Sequence, residues 1–310
     1  MEAQPGFRLG VVGGGRWGRN LIATIPALAG VRLAAVASAN PRTASLVPPG
    51  CVVIGDWRRL LEDVPIDGLC LAVPASQQPA IALEALAAGL PVMAEKPLAL
   101  SLDATEQVVA AARAACLPLL VDFIHLFNPA YRALRNALSG AGPIRRIESI
   151  GGNHGPFRRD CPPLWDYGPH DLSLCLDLTQ SPVTRLSARL LEHAVLPEGT
   201  GEIVALDLDF QNGVHAAICC GNLMKPKTRR LTVETDAAAF TIDDLSATAL
   251  TWTRRGGPPE ALPISGPAPL AAALAAFVDM AGARRPDWRT AELAIDVARC
   301  LTAADRDLAR

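Results

Sequence analysis

The chain has 310 residues, half of them apolar and 19% charged, with a net charge near −2. That supplies enough apolar material for two packed cores and argues against disorder. No basic stripe points to nucleic acid, no apolar run approaches a membrane span, and the start lacks a basic-then-apolar secretion signal. The expected setting is the cytoplasm. The eight cysteines are scattered, which fits reduced thiols and no metal site.

Over the first 120 residues, short apolar runs alternate with helical segments. Strands are expected at 8–12, 31–36, 51–54, 68–73, 91–94 and 118–121, and helices at 16–25, 56–63, 79–88 and 102–115. Strands apolar on both faces, alternating with helices of this length, imply βαβ units and a doubly wound parallel sheet. After Asp122 the pattern changes. A helix at 128–139 and a strand at 144–152 precede a Pro-rich loop and a helix from about Pro169 to Leu178. In Ala205–Phe210 apolar residues alternate with Ala205, Asp207 and Asp209, the period of a sheet with one wet face. Helices at 270–283 and 289–307 close the chain. The expected architecture is α/β. Residues 1–122 carry the doubly wound sheet, and residues 123–310 form an α+β unit with an open, mostly antiparallel sheet. An open sheet face needs cover, and a second copy of the chain would supply it as a homodimer or homotetramer.

The first strand runs into Gly13-x-Gly15-x-x-Gly18, followed by a helix and a second strand. Gly13 permits the tight turn, Gly15 lets the backbone approach a pyrophosphate, and Gly18 lets helix and strand pack closely. Arg16 and Trp17 lie inside this turn. An acidic residue about 20 positions on would hold a ribose, yet no Asp or Glu occurs between Glu2 and Asp56. Ser38 stands near the expected place, with Asn40 and Arg42 behind it. These groups donate to a 2′-phosphate, so NADP(H) is favoured over NAD(H).

A second landmark, Glu95-Lys96-Pro97, ends the fifth strand. With the glycine turn, "LAVPASQQPAIALEALAAGLPVMAEKPLAL" (71–100), "FNPAYRAL" (127–134) and "LWDYGPHDLSL" (164–174), it gives the chain a resemblance to the Gfo/Idh/MocA family. The resemblance implies a Rossmann unit and hydride transfer between a secondary alcohol and a ketone on a sugar or sugar derivative. It puts catalysis on Lys96, Asp166 and His170. The expected cofactor site adds Val73, Pro74, Gln78, Glu95 and Lys96 to the glycine turn and Ser38, Asn40 and Arg42. The expected substrate contacts are Lys96, Asp166, His170, Arg158 and Tyr167. The segment "GPFRRDCPPLWDYGPHDLSL" looks closest to the branch acting on nucleotide-linked sugars, where Arg158 and Arg159 would clamp an anion. Pro169 reads as the first helical position, which would set His170 in a first helical turn, Asp166 in the loop before it, and Asp171 as an acid answering the helix dipole. The chain departs from the family pattern at Ser173, at Ser76–Gln78 and at "DFIHLF" (122–127). Two other readings use the same fold: a regulator that holds its cofactor without turnover, and a reductase of a non-sugar ligand.

Overall fold

The computed structural model describes residues 6–309. Two compact units emerge. One contains the residues up to Asp122 together with Leu270–Ile295, and the other contains Phe123–Pro269 with Asp296 onward.

The first unit is built from β1 (Phe7–Val12), α1 (Arg16–Thr24), β2 (Val31–Ala37), β3 (Val52–Ile54), α2 (Trp57–Asp63), β4 (Gly68–Leu71), α3 (Gln78–Ala87), β5 (Val92–Glu95), α4 (Leu102–Ala114) and β6 (Leu119–Asp122). Its six strands are all parallel, in the order β3-β2-β1-β4-β5-β6. The central strands are buried on both faces, as their unbroken apolar sequences require. Helix starts are marked by side chains that accept the first free N–H groups. Asp56 caps α2 and Ser101 caps α4. The strand order reverses beside β1, so the carboxyl edge there is the crevice where open α/β sheets take ligands. Residues from the chain's far end complete this core. Phe277 is fully buried, and a Cβ at Gly68 would lie 3.2 Å from its ring.

In the second unit come α5 (Pro129–Leu138), β7 (Ile144–His154), α6 (Pro163–Thr179), β8 (Val183–Leu196), β9 (Gly199–Phe210), β10 (His215–Gly221), β11 (Leu223–Thr235), β12 (Ala238–Asp243), β13 (Leu250–Arg254) and β14 (Pro259–Ala261). The strands form an eight-stranded sheet, β14-β13-β12-β11-β7-β10-β9-β8, antiparallel except for the β7–β10 pair. On β9, Val204, Leu206, Leu208 and Phe210 are buried, while Asp207 and Asp209 reach Arg189 and Arg185 on the other face. Helix α6 packs against β7, β9 and β10. Two helices close the chain, α7 (Pro269–Ala283) and α8 (Arg289–Leu308). Among the described residues, no helix is long and apolar enough to cross a membrane.

One helix start needs correction. α6 begins at Pro163, six residues before the expected Pro169, which lies inside the helix. The Gly168-Pro169 pair reads as a break because Pro has no N–H to give the Trp165 carbonyl. Tertiary packing overrides that local signal. Trp165 is 4% exposed and donates its indole N–H to Asp305 at 2.7 Å, and Gly168 leaves room for Leu301. His170 is therefore not in a first turn but in the second. Asp166 is in the first turn rather than in a loop, and Asp171 is not a dipole-facing acid.

Candidate functional site

The glycine turn leaves β1 at its carboxyl end. Gly13 has φ +111°, a region that L side chains rarely adopt, and a Cβ there would strike the Ala72 carbonyl. A Cβ on Gly18 would strike the Gly13 carbonyl. Gly15 differs from both. It is the N-cap of α1, so the N-cap position offers no capping side chain, and no acid occupies the first turn. A Cβ on Gly15 would meet open space. The free N–H groups of this turn, the positive helix end and the exposed Arg16 form a cradle for an anion. The Trp17 indole nitrogen is buried and has no hydrogen-bond partner among the described residues. A dinucleotide pyrophosphate fits this donor set.

Ser38 follows β2 directly. Its Oγ accepts from the Asn40 N–H at 3.2 Å and from the Thr43 hydroxyl at 2.9 Å, which leaves its own proton to donate. The Asn40 side-chain oxygen accepts from the Arg42 N–H at 3.0 Å, while the Arg42 residue stays exposed. Gly14 and Thr43 were not singled out from the sequence. A Cβ at Gly14 would sit 2.5 Å from both the Ser38 and Thr43 hydroxyl oxygens, so this close approach needs glycine.

Val73 and Pro74 follow β4 on the same carboxyl edge, half-buried, and Pro74 opens a turn by accepting from the Gln77 N–H at 2.8 Å. Gln78 is 1% exposed. Its amide donates to the carbonyls of Glu95 at 3.0 Å and Pro97 at 2.8 Å, fixing the turn that carries Lys96. Its visible work is thus to position that turn, a role its polarity alone does not reveal. Lys96 and Glu95 are half-buried, and the Lys96–Pro97 bond is cis. Burial foremost, then the charge of Asp122, pushes the Glu95 carboxyl well above the usual carboxylate range, with Lys96 opposing.

In the second unit, Asp166 and His170 stand four residues apart on α6, so they share one helix face. The His170 ring meets the His125 ring edge-on, with centroids 4.8 Å apart. The Arg158 guanidinium lies 3.8 Å from Asp166 Oδ1 and 3.7 Å from Asp160, and its side chain is 45% exposed. Arg159 turns away and donates to the Pro197 carbonyl, so the two arginines do not act as a pair. Tyr167 is 7% exposed and donates its hydroxyl to the Gly155 carbonyl at 2.7 Å. Ser173 donates to the His170 carbonyl within the helix at 3.0 Å.

Asp171, expected from the sequence to answer the helix dipole, is 1% exposed and accepts from the Ser149 hydroxyl at 2.6 Å. Arg229 Nη1 lies 3.7 Å from it. Burial raises the Asp171 carboxyl, against the opposing pull of Arg229 and Ser149. No spacing in the sequence links residues 149, 171 and 229. Only the β7–β11 pairing and the seating of α6 bring them together.

These features define a protein with a Rossmann nucleotide-binding unit and a separate unit built on an open sheet. Residues 7–123 match the family described as an oxidoreductase family with an NAD-binding Rossmann fold. A crystal structure of a protein from Magnetospirillum magnetotacticum MS-1 assigned as an oxidoreductase is 38% identical, covers 96% of this chain and 99% of its own, and has a TM-score of 0.88. UDP-N-acetylglucosamine 3-dehydrogenase from Acidithiobacillus ferrooxidans is 25% identical, covers 97% of both chains, and has a TM-score of 0.85. Inositol 2-dehydrogenase 2 from Paenarthrobacter aurescens (strain TC1) is 31% identical over 195 residues, 58% of each chain. The chain thus matches under two thirds of that curated relative's length. The chain belongs to the Gfo/Idh/MocA oxidoreductase family.

Proposed function

We propose that this chain is an NAD(P)-dependent dehydrogenase that interconverts a secondary alcohol and a ketone on a sugar or sugar derivative, nucleotide-linked sugars included. One observation carries the reading. The uncapped start of α1 and the Lys96 turn occupy the same carboxyl edge of one parallel sheet. Two relatives are named for work on an inositol and on a UDP-linked sugar, which supports the substrate class.

The nicotinamide, when bound, would accept or supply the hydride. Gly13, Gly15, Arg16, Trp17 and Gly18 would hold its pyrophosphate, with Val73, Pro74 and Glu95 along the same edge and Gln78 behind the Lys96 turn. Ser38, Asn40 and Arg42 would face the adenosine ribose. The spare Ser38 proton and the exposed guanidinium favour a 2′-phosphate, and hence NADP(H). The Lys96 ammonium stabilises charge developing on the substrate oxygen. The His170 imidazole moves the proton to or from that oxygen. Asp166, one turn before His170, orients it or accepts from a sugar hydroxyl. Arg158 gives the substrate's anionic portion a partner, while the buried Tyr167 shapes the wall behind Asp166. A second copy of the chain covers the open sheet face, and the enzyme works in the cytoplasm.

A paired fluorescence titration with NADPH and NADH, repeated on Arg42→Ala, tests the cofactor reading. Tighter NADPH binding that the substitution abolishes supports it. Equal or tighter NADH binding overturns the NADP preference, and binding of neither overturns the cradle. A screen of free and nucleotide-linked sugars and keto-sugars then tests the substrate class. Failure across the screen with cofactor still binding would favour the regulator.

A further inference from the structure

β5 and β6 are parallel neighbours, and their register sets Glu95 beside Asp122 as the last residue of each strand. Residues in register on parallel strands project from the same face. Lys96 is the next residue along the chain. Asp122 is 1% exposed, and among the described residues no hydrogen-bond donor meets either of its carboxylate oxygens. A buried acceptor without a donor is strongly disfavoured. Two ionised carboxylates cannot bond to each other, because both only accept. One proton between them turns one group into a donor and satisfies the other.

The surroundings favour that arrangement. On neighbouring β4, burial foremost, then negative charge on this carboxyl pair, pushes the Cys70 thiol up. Lys96 is the cation whose charge acts on both carboxyls. Burial raises Asp122 to about 7, with the neighbouring Glu95 carboxyl and Lys96 pulling the other way. The backbone is held from both sides. Gln78 binds the Glu95 and Pro97 carbonyls, and the Thr290 hydroxyl accepts from the Val121 N–H at 3.1 Å. The pair is therefore rigid, and adding or removing its proton changes charge more than shape.

We propose that Glu95 and Asp122 hold one proton between them and present a single negative charge to Lys96, which makes Asp122 a positioning residue for that lysine. The catalytic consequence rests on Lys96 being the acting lysine; the shared proton does not. Losing the proton doubles the negative charge behind the ammonium and holds it back from the substrate oxygen.

Infrared spectroscopy of the cofactor-free protein, with carbon-13 in the aspartate or the glutamate side-chain carboxyls, tests the pair directly. A protonated carboxyl band that persists above the usual carboxylate range, and that Asp122→Asn diminishes by one group, is the expected result. Glu95→Gln should diminish it too, which keeps the test open if one variant fails to fold. Full ionisation of both groups in the usual range overturns the proposal. So does a persisting band that neither variant changes, since Asp171 would then be its source. With active enzyme, Asp122→Asn should remove the near-neutral inflection from the pH profile of kcat and leave KM unchanged. An unaltered inflection overturns the positioning role. If the protein binds neither NADPH nor NADH, the proposed function fails while the infrared result still stands or falls alone.

Discussion

The three glycines of the first turn look alike in sequence and do different work. Gly13 and Gly18 are fixed by backbone: a Cβ on either would strike a main-chain carbonyl. Gly15 faces open space, so no neighbour in the fold requires its missing side chain, and the proposed reason for it is the approach of a ligand. Gly18→Ala should lower stability by about 2–4 kcal/mol in urea unfolding, because the obstructing atom is backbone that cannot step aside. Gly15→Ala should leave the unfolding midpoint in place and weaken nicotinamide binding about tenfold or more. If Gly15→Ala binds cofactor normally, the cradle is not where the pyrophosphate lies. Lys96→Ala and His170→Ala should each reduce kcat about 100-fold or more while cofactor still binds. Single-turnover measurements with saturating cofactor would show whether the loss is in the chemical step. The sequence made Lys96 legible through its motif. It left Asp122 unremarked, because the pairing with Glu95 depends on strand register across 27 positions.

Among the elements, α6 is where local signals and packing disagree. Its interior proline disfavours the helix by about 3 kcal/mol. Burial of nearly the whole helix surface offsets that, with Leu164, Trp165, Tyr167, Leu172 and Cys175 all in the core. The helix also seals Asp171 over β7. A Cβ at Gly151 would lie 2.6 Å from both Arg229 Nη1 and Asp171 Oδ2, so the strand gives up a side chain to make room for the pair. Asp171→Ala strands a mostly buried guanidinium and should lower stability by about 3–5 kcal/mol. Gly151→Ala should damage the same place by crowding. Both effects are measurable as shifts in the denaturant midpoint. A change below about 0.5 kcal/mol for Asp171→Ala would mean that Arg229 finds water instead.

At the scale of the whole molecule, chain order and packing order differ. Residues 270–295 belong to the unit formed by the first 122 residues. A fragment ending at Asp122 lacks Phe277 against Gly68 and the Thr290 hydroxyl on Val121. It should fail to unfold cooperatively by circular dichroism, and a fragment in which a flexible linker joins residues 270–295 to it should regain a transition. Buried carboxyls also set how stability responds to pH. Glu95, Asp122 and Asp171 are all raised by burial, so the folded state binds more protons than the unfolded chain above the ordinary carboxylate range. Their contribution to stability therefore falls as pH rises from about 4 toward the raised folded values. Asp67, lowered first by its bond with Arg8, acts oppositely, but both side chains are about a third exposed and solvent screens much of its effect. The thermal midpoint should drop between about pH 5 and about pH 8, and Asp122→Asn should flatten that slope.

The sequence by itself determined the parallel βαβ framework, the glycine cradle, the absent ribose acid and the place of Lys96 at a strand end. Each of these follows from residues close together in the chain, where spacing and conformational preference act directly. Only the tertiary structure decided where α6 begins, that Asp171 is buried with Arg229, that Glu95 and Asp122 stand side by side, and that a late helix completes the first core. Those outcomes depend on strand register and on apolar surface buried between distant segments, energies that no local pattern carries.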